Sequence, residues 1–273
     1  MIEISVIIPT YNRRERLQCT LESVLQQEDV GFEVIVVDDG SGDGTVQMIK
    51  RDFPQVCYLY QENRGPAAAR NRGIENAKAK WIAFCDSDDT WQSGKLKAQL
   101  GFFKNNPDYL ICQTEEIWIR NGKRVNPMKK HKKYGGWIFN RCLPLCIISP
   151  SAVMMHRKLF DEIGTFDESL PACEDYDLWL RVSAKHPVGL IPYPYVIKSG
   201  GHKDQRSKQF PAMDRFRIQS LFKLLSLGAL DEEKKKAVEA TLEEKSRIYI
   251  QGALKRGKTQ EAEEIQNLIH AAL

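Results

Sequence analysis

Four predominantly apolar runs, at residues 4–8, 32–37, 56–60 and 81–85 and broken only by Ser5 and Glu33, limit what this chain can fold into more than any other feature. Each is bounded by turn residues and stands about a helix length of amphipathic sequence from the next. A strand that is apolar throughout, without alternation, is buried on both faces, and helices between such strands make βαβ units. The expected fold class is therefore α/β, with a mostly parallel, Rossmann-like sheet flanked by helices. Ligands of such sheets collect at the carboxyl ends of the strands. The polar residues stand there: PTYNR after the first run, DDGSGDGT after the second, ENRGPAAARNRG after the third and DSDD after the fourth.

Beyond residue 106 the rhythm changes. YLICQTEEIWIRNGKRV predicts two strands around an Asn121-Gly122 turn, followed by a basic loop and a further apolar run over 145–155. A helix through EDYDLWLRVSAKH and a strand through VGLIPYPYVIK complete an expected domain at 1–208. Residues 209–273 are expected to form a C-terminal helical appendage.

Composition narrows the function. The 273-residue chain is 42% apolar, enough for a core of ordinary size. It has neither an apolar run long enough to span a membrane nor a signal peptide, which places the expected location in the cytoplasm. Seven cysteines without a CxxC pair point to reduced core thiols rather than zinc or disulfides. A net charge of +4 gives no argument for nucleic acid. The KKHKK segment (129–133), with Tyr134 and Trp137 nearby, reads as a solvated charge run. Its alternative is a face for an anionic acceptor or membrane surface.

Several residues carry two readings. The glycines after the second run have the wrong spacing for a dinucleotide fingerprint, and two aspartates stand where a pyrophosphate would sit. Asp39 is either a cap or an acceptor for a nucleobase N–H. In DSDD, Asp88 and Asp89 either cap the following helix or meet a divalent cation. Mg²⁺ or Mn²⁺ takes hard oxygen ligands, often one or two carboxylates completed by phosphate oxygens. Arg70, near a helix start, suits an anionic ligand. Glu174 is explained by the helix dipole and Asp177 by an i, i+4 pair with Arg181, which leaves Asp175 as a candidate base. His202, in a glycine-bracketed loop, is a candidate metal or phosphate contact.

Taken in order, VIIPTYNR, VIVVDDGS, NRGPAAARNRGI, FCDSDD and EDYDLWLR resemble the signature set of family 2 glycosyltransferases with a GT-A fold, over residues 2–205. The resemblance implies inverting transfer of a sugar from a nucleotide-diphosphate donor, usually a UDP-sugar, with Mn²⁺ or Mg²⁺. By matching position it places Pro9, Thr10, Tyr11, Asp39, Arg70 and Asp86 with the donor. Asp86 and Asp88 form the D-x-D, Asp88 and His202 meet the metal with Asp89 as an alternate, and Asp175 is the general base. The implied acceptor is a glycan or a lipid-linked sugar, with peripheral association at the inner face of the membrane left open. There is no Q-x-x-R-W motif, so a processive synthase is not expected. Two alternatives stand beside this reading: a non-catalytic nucleotide-sugar binding module, and a nucleotidyltransferase. The latter should carry a glycine-rich phosphate loop after the first strand, which PTYNRRERL lacks.

Overall fold

The structure, a computed structural model, describes residues 2–202, 205, 209–210 and 212–272. Residue 208, the last of the expected catalytic domain, lies outside the described residues. The four apolar runs form β1 (Ile4–Thr10), β2 (Phe32–Asp38), β3 (Cys57–Tyr60) and β4 (Trp81–Phe84). Between them lie α1 (Arg14–Leu25), α2 (Thr45–Asp52) and α3 (Pro66–Asn76). These strands are parallel in the order β3-β2-β1-β4, as the βαβ reading requires. The third run departs from full burial, since β3 is the sheet edge and is half-exposed.

β5 (Thr90–Trp91) and α4 (Lys95–Asn105) follow, and then β6 (Ile111–Arg120) turns back into β7 (Lys123–Val125). Asn121 and Gly122 carry φ of 49° and 75°, so the Asn-Gly signal gives the tight hairpin it predicts. After α5 (Phe139–Cys142), β8 (Val153–His156) runs antiparallel between β4 and β6. Then come α6 (Lys158–Ile163), α7 (Glu174–Lys185) and β9 (Gly189–Gly200), which pairs with both β6 and β5. The result is a mixed nine-stranded sheet flanked by helices.

Alternation along β1 divides the apolar interior. Ile7 faces a core shared with Phe84 and Trp179, while Val6 and Ile8 face one built on α1, α2 and α4. Gly73 lets α3 lie directly on β1, because a Cβ there would collide with Ile7. The C-terminal helices α8 (Asp214–Ser226), α9 (Glu232–Lys255) and α10 (Thr259–Ala272) are not separate from this interior. Phe216, Ile218, Leu221 and Leu224 belong to the same core as Ile7, and Lys223 Nζ reaches Asp167 at 2.6 Å. Among the described residues, no helix is long and apolar enough to cross a membrane. All seven cysteines are free, but Cys19 and Cys57 are exposed rather than in the core, on the outer face of α1 and on the edge strand β3.

One core side chain is unexpectedly polar. Lys95 is fully buried, with Nζ donating to Gln99 Oε1 at 2.7 Å and lying 3.9 Å from the centroid of the Trp91 ring. The titratable groups facing it are the thiols of Cys85 and Cys112, and burial lowers its pKa from 10.5 to about 7. A lysine whose folded pKa is depressed weakens the fold wherever the unfolded chain holds the proton more tightly. The penalty is full below pH 7 and fades as pH rises towards 10.5. Lys95→Met is therefore expected to stabilise the protein by roughly 2–4 kcal/mol at pH 6 in urea unfolding. The gain should shrink steadily at alkaline pH.

Candidate active site

The carboxyl ends of β1 to β4 open onto one cleft of about 480 Å³. Pro9, Thr10 and Tyr11 line it after β1, Asp39 after β2, Asn63 and Pro66 after β3, and Asp86, Ser87, Asp88 and Asp89 after β4. Arg70 lines it from α3. The opposite wall is made by Pro150, Glu174, Asp175, Lys198, Ser199 and Met213. His202 reaches the same place through Asp88, with Nε2 2.8 Å from Oδ2.

The DSDD aspartates have no basic neighbour in sequence, yet the fold brings several cations to them. Arg70 bridges Asp86 Oδ1 and Glu174 Oε1, each at 2.7 Å. Arg13 pairs with Asp88 Oδ2 at 3.0 Å. Burial works against charge on Arg70, Asp86 and Glu174. At Arg70 the two carboxylates outweigh it and raise the pKa. At Asp86, Arg70 and Lys198 outweigh it and hold the carboxylate below its ordinary range. Glu174 goes the other way: burial raises its pKa against the pull of Arg70, and the neighbouring Asp175 adds to the rise. Arg70 is thus occupied by protein carboxylates, and its direct effect is to fix Asp86 on the cleft wall.

Asp89 is almost fully buried, and both its oxygens are engaged, Oδ2 by Ser151 Oγ at 2.7 Å and Oδ1 by the Ser199 N–H at 2.9 Å. Burial, reinforced by Asp88 and Asp86, pushes its pKa well up. Its oxygens are spent on joining the β4 end to β9. Asp88 is the more open carboxylate, with His202 Nε2 against it, and this pair provides one hard oxygen and one imidazole nitrogen at a single point. No cluster of three or more His, Cys, Asp or Glu side chains suited to a metal occurs among the described residues. Two protein ligands fit Mg²⁺ or Mn²⁺ when phosphate oxygens complete the set.

Asp39 accepts hydrogen bonds from Gln61 Nε2, Arg64 N and Gly65 N, all at 2.8 Å. It therefore caps the entry to α3, where Gly65 takes φ 91° and Pro66 begins the helix. Three of about four lone-pair positions are filled, so one further donor can be accepted. Asp39→Ala leaves two backbone N–H groups unpaired and is expected to cost about 1–3 kcal/mol of stability by denaturant titration. Asp39→Asn, which retains one acceptor oxygen, should cost less.

Asp175 lies in the first turn of α7, two residues after Cys173, which holds a left-handed φ of 65° at the helix entry. Strain of this kind in a non-glycine residue persists only where the surroundings enforce it. One Asp175 oxygen accepts from the Tyr176 N–H at 2.8 Å, and the other lies 3.5 Å from Cys146 Sγ. Asp177, two residues on, is buried and held by Arg181 Nε at 3.0 Å and Nη2 at 2.7 Å, away from the cleft. Sequence reasoning missed Arg13, Met213 and Lys198. Lys198 had a readable signal, because it stands two residues after the fully buried Val196 on β9 and so shares its face.

Comparison with known proteins decides the family. Residues 5–164 match the model of glycosyl transferase family 2. The chain belongs to that family. A glycosyltransferase of Rickettsia felis is 35% identical over 191 residues, covering 69% of this chain and 31% of that protein. The chain thus spans about a third of the length of several of the curated relatives it matches. In Escherichia coli, the UDP-Glc:alpha-D-GlcNAc-diphosphoundecaprenol beta-1,3-glucosyltransferase WfgD is 31% identical over 193 residues, 69% of this chain and 72% of that protein. The structure of S. aureus TarS 1-349 in complex with UDP-GlcNAc superposes with a TM-score of 0.79 at 20% identity, over 100% of this chain and 82% of that one. The fold is the GT-A fold expected of the family.

Proposed function

We propose that this protein is an inverting glycosyltransferase that moves a hexosyl or N-acetylhexosaminyl group from a nucleotide-diphosphate sugar, a UDP-sugar in the first instance, to an acceptor hydroxyl. The observation that carries the reading is the convergence of four strand ends and Asp175 on one cleft. The acceptor class is a glycan or lipid-linked sugar of a cell-surface polysaccharide. This draws on the diphosphoundecaprenol-linked acceptor in the names of the E. coli relatives WfgD and WfaP and the teichuronic acid pathway in that of TuaG.

In this mechanism Pro9, Thr10 and Tyr11 flank the nucleoside, and Asp39 uses its remaining acceptor position on the base. Asp88 and His202 would hold Mn²⁺ or Mg²⁺, which when bound neutralises charge that builds on the departing diphosphate. Asp86 is aimed into the cleft by Arg70. Asp175 takes the proton from the acceptor hydroxyl as its oxygen attacks the anomeric carbon on the face opposite the diphosphate. One displacement inverts the anomeric centre.

Residues 209–273 are assigned to acceptor or partner placement, a reading supported by Met213 at the mouth of α8 on the cleft wall. Work at the cytoplasmic face of a membrane is supported by Trp137, which is 69% exposed beside the basic 129–133 segment. The test is nucleotide release on incubation with UDP-, GDP- and dTDP-sugars and Mn²⁺. Release from one donor class, stimulated by an acceptor, is expected. Tight binding of a donor with no turnover on any acceptor would favour a binding module instead.

A further inference from the structure

A row of polar and charged side chains runs from the basic loop to the cleft through residues the mechanism above does not use. Lys133 closes the basic segment, but unlike its exposed neighbours Lys129, Lys130 and Lys132 it is buried. Its Nζ donates to Gln113 Oε1 at 3.0 Å and lies 3.3 Å from Glu116 Oε1. The Glu116 side chain, 4% exposed, accepts from Trp118 Nε1 at 3.0 Å. Burial alone would raise its pKa, but the charges of Lys133 and Lys198 bring it down to about 2.

The Ser149 hydroxyl oxygen accepts from Lys198 Nζ at 3.1 Å. An ammonium has three donors, and this is the one hydrogen bond Lys198 makes among the described residues. The ammonium nevertheless sits at the cleft wall in the field of Asp86, Asp89, Asp175 and Glu116, which raise its pKa against the effect of burial. It is a cation with unused donors that lines the cavity and is held by the Ser149 hydroxyl oxygen.

We propose that Lys198 is a ligand-contacting residue that takes an anionic oxygen of the donor's diphosphate, and that Ser149 and Glu116 are positioning residues that aim its ammonium into the cleft. Lys133 ties the basic loop to the same Glu116 carboxylate, so the loop's anchor and the donor-facing cation share one buried anion. The inference rests on the donor reading given above. It adds to that reading a residue from the second half of the sheet, whose contact is with phosphate rather than with base or metal.

Calorimetry with UDP and with uridine, both in Mn²⁺, separates the roles. Losing a charge-assisted hydrogen bond should weaken UDP binding by about 10- to 100-fold in Lys198→Met. Uridine, which has no phosphate, should bind as it does to the unaltered protein. Ser149→Ala and Glu116→Gln should weaken UDP by about 2- to 10-fold, the range of a lost neutral hydrogen bond, again without touching uridine. Lys198→Arg should recover most of the UDP affinity. Unchanged UDP affinity in a folded Lys198→Met, or an equal loss for uridine, would overturn the assignment. If Lys198→Met does not fold, Ser149→Ala decides, and undiminished UDP affinity there refutes it. A protein that binds none of UDP, GDP and dTDP refutes the donor reading and this inference together. Tight UDP binding that is indifferent to Lys198 refutes this inference alone.

Discussion

Asp175→Asn is expected to lower sugar transfer by about 10²- to 10⁴-fold with saturating donor and acceptor, while UDP and Mn²⁺ bind nearly as before. The amide keeps the shape of the carboxylate and can still accept the Tyr176 N–H at the helix entry. It cannot take up a proton. The fold should tolerate the change, because Asp175 makes no ion pair among the described residues. Asp177→Asn is the matching control, with the opposite signature. Its carboxylate is buried against Arg181 and lies 3.5 Å from Lys223 Nζ, so that variant should lose stability and keep its turnover per folded molecule.

The second large effect concerns the metal. In Asp88→Ala the dependence of UDP affinity on Mn²⁺ should vanish, so that EDTA and Mn²⁺ give the same titration. Changes to groups that merely orient a metal ligand already cost about 10- to 100-fold in metal affinity, and loss of the ligand itself should cost at least that much. Arg13 still lines the cleft in this variant, so residual metal-independent UDP binding is expected. Asp89→Asn behaves differently on this account. Its oxygens are engaged by Ser151 and Ser199, and the variant should disturb the junction of β4 with β9 more than the response to Mn²⁺.

The first half of the fold was legible because its signals are local. The central strands read as predominantly apolar runs, and Asn121-Gly122 takes the positive φ angles a tight hairpin needs. The order of the strands was not legible, nor was the insertion of antiparallel β8 between β4 and β6, because pairing of that kind depends on contacts far apart in sequence. The site divides along the same line. The i, i+4 pair of Asp177 with Arg181 could be read from spacing, and it forms. The partners of DSDD could not. Arg70 reaches Glu174 across 104 positions, Arg13 comes from the loop before α1, and Lys198 and His202 come from β9 and the segment after it. Sequence-local reasoning therefore found the carboxylates and their strand end, and it left them without the cations that the folded protein supplies. The helices after residue 209 resemble nothing in the family signature, yet their apolar face is continuous with the core, which no motif records.

The central claim is that an acceptor oxygen, activated by Asp175, displaces the nucleoside diphosphate in a single step on the cleft side of the sheet. Proton NMR of the anomeric signal during turnover, with the donor identified by nucleotide release, tests this most directly. A UDP-α-sugar should yield a β-linked product from the first detectable time point, and Asp175→Asn should slow the appearance of that signal without changing its configuration. An α-linked product would contradict the account, since retention requires a different arrangement of nucleophile and leaving group from the one Asp175 provides.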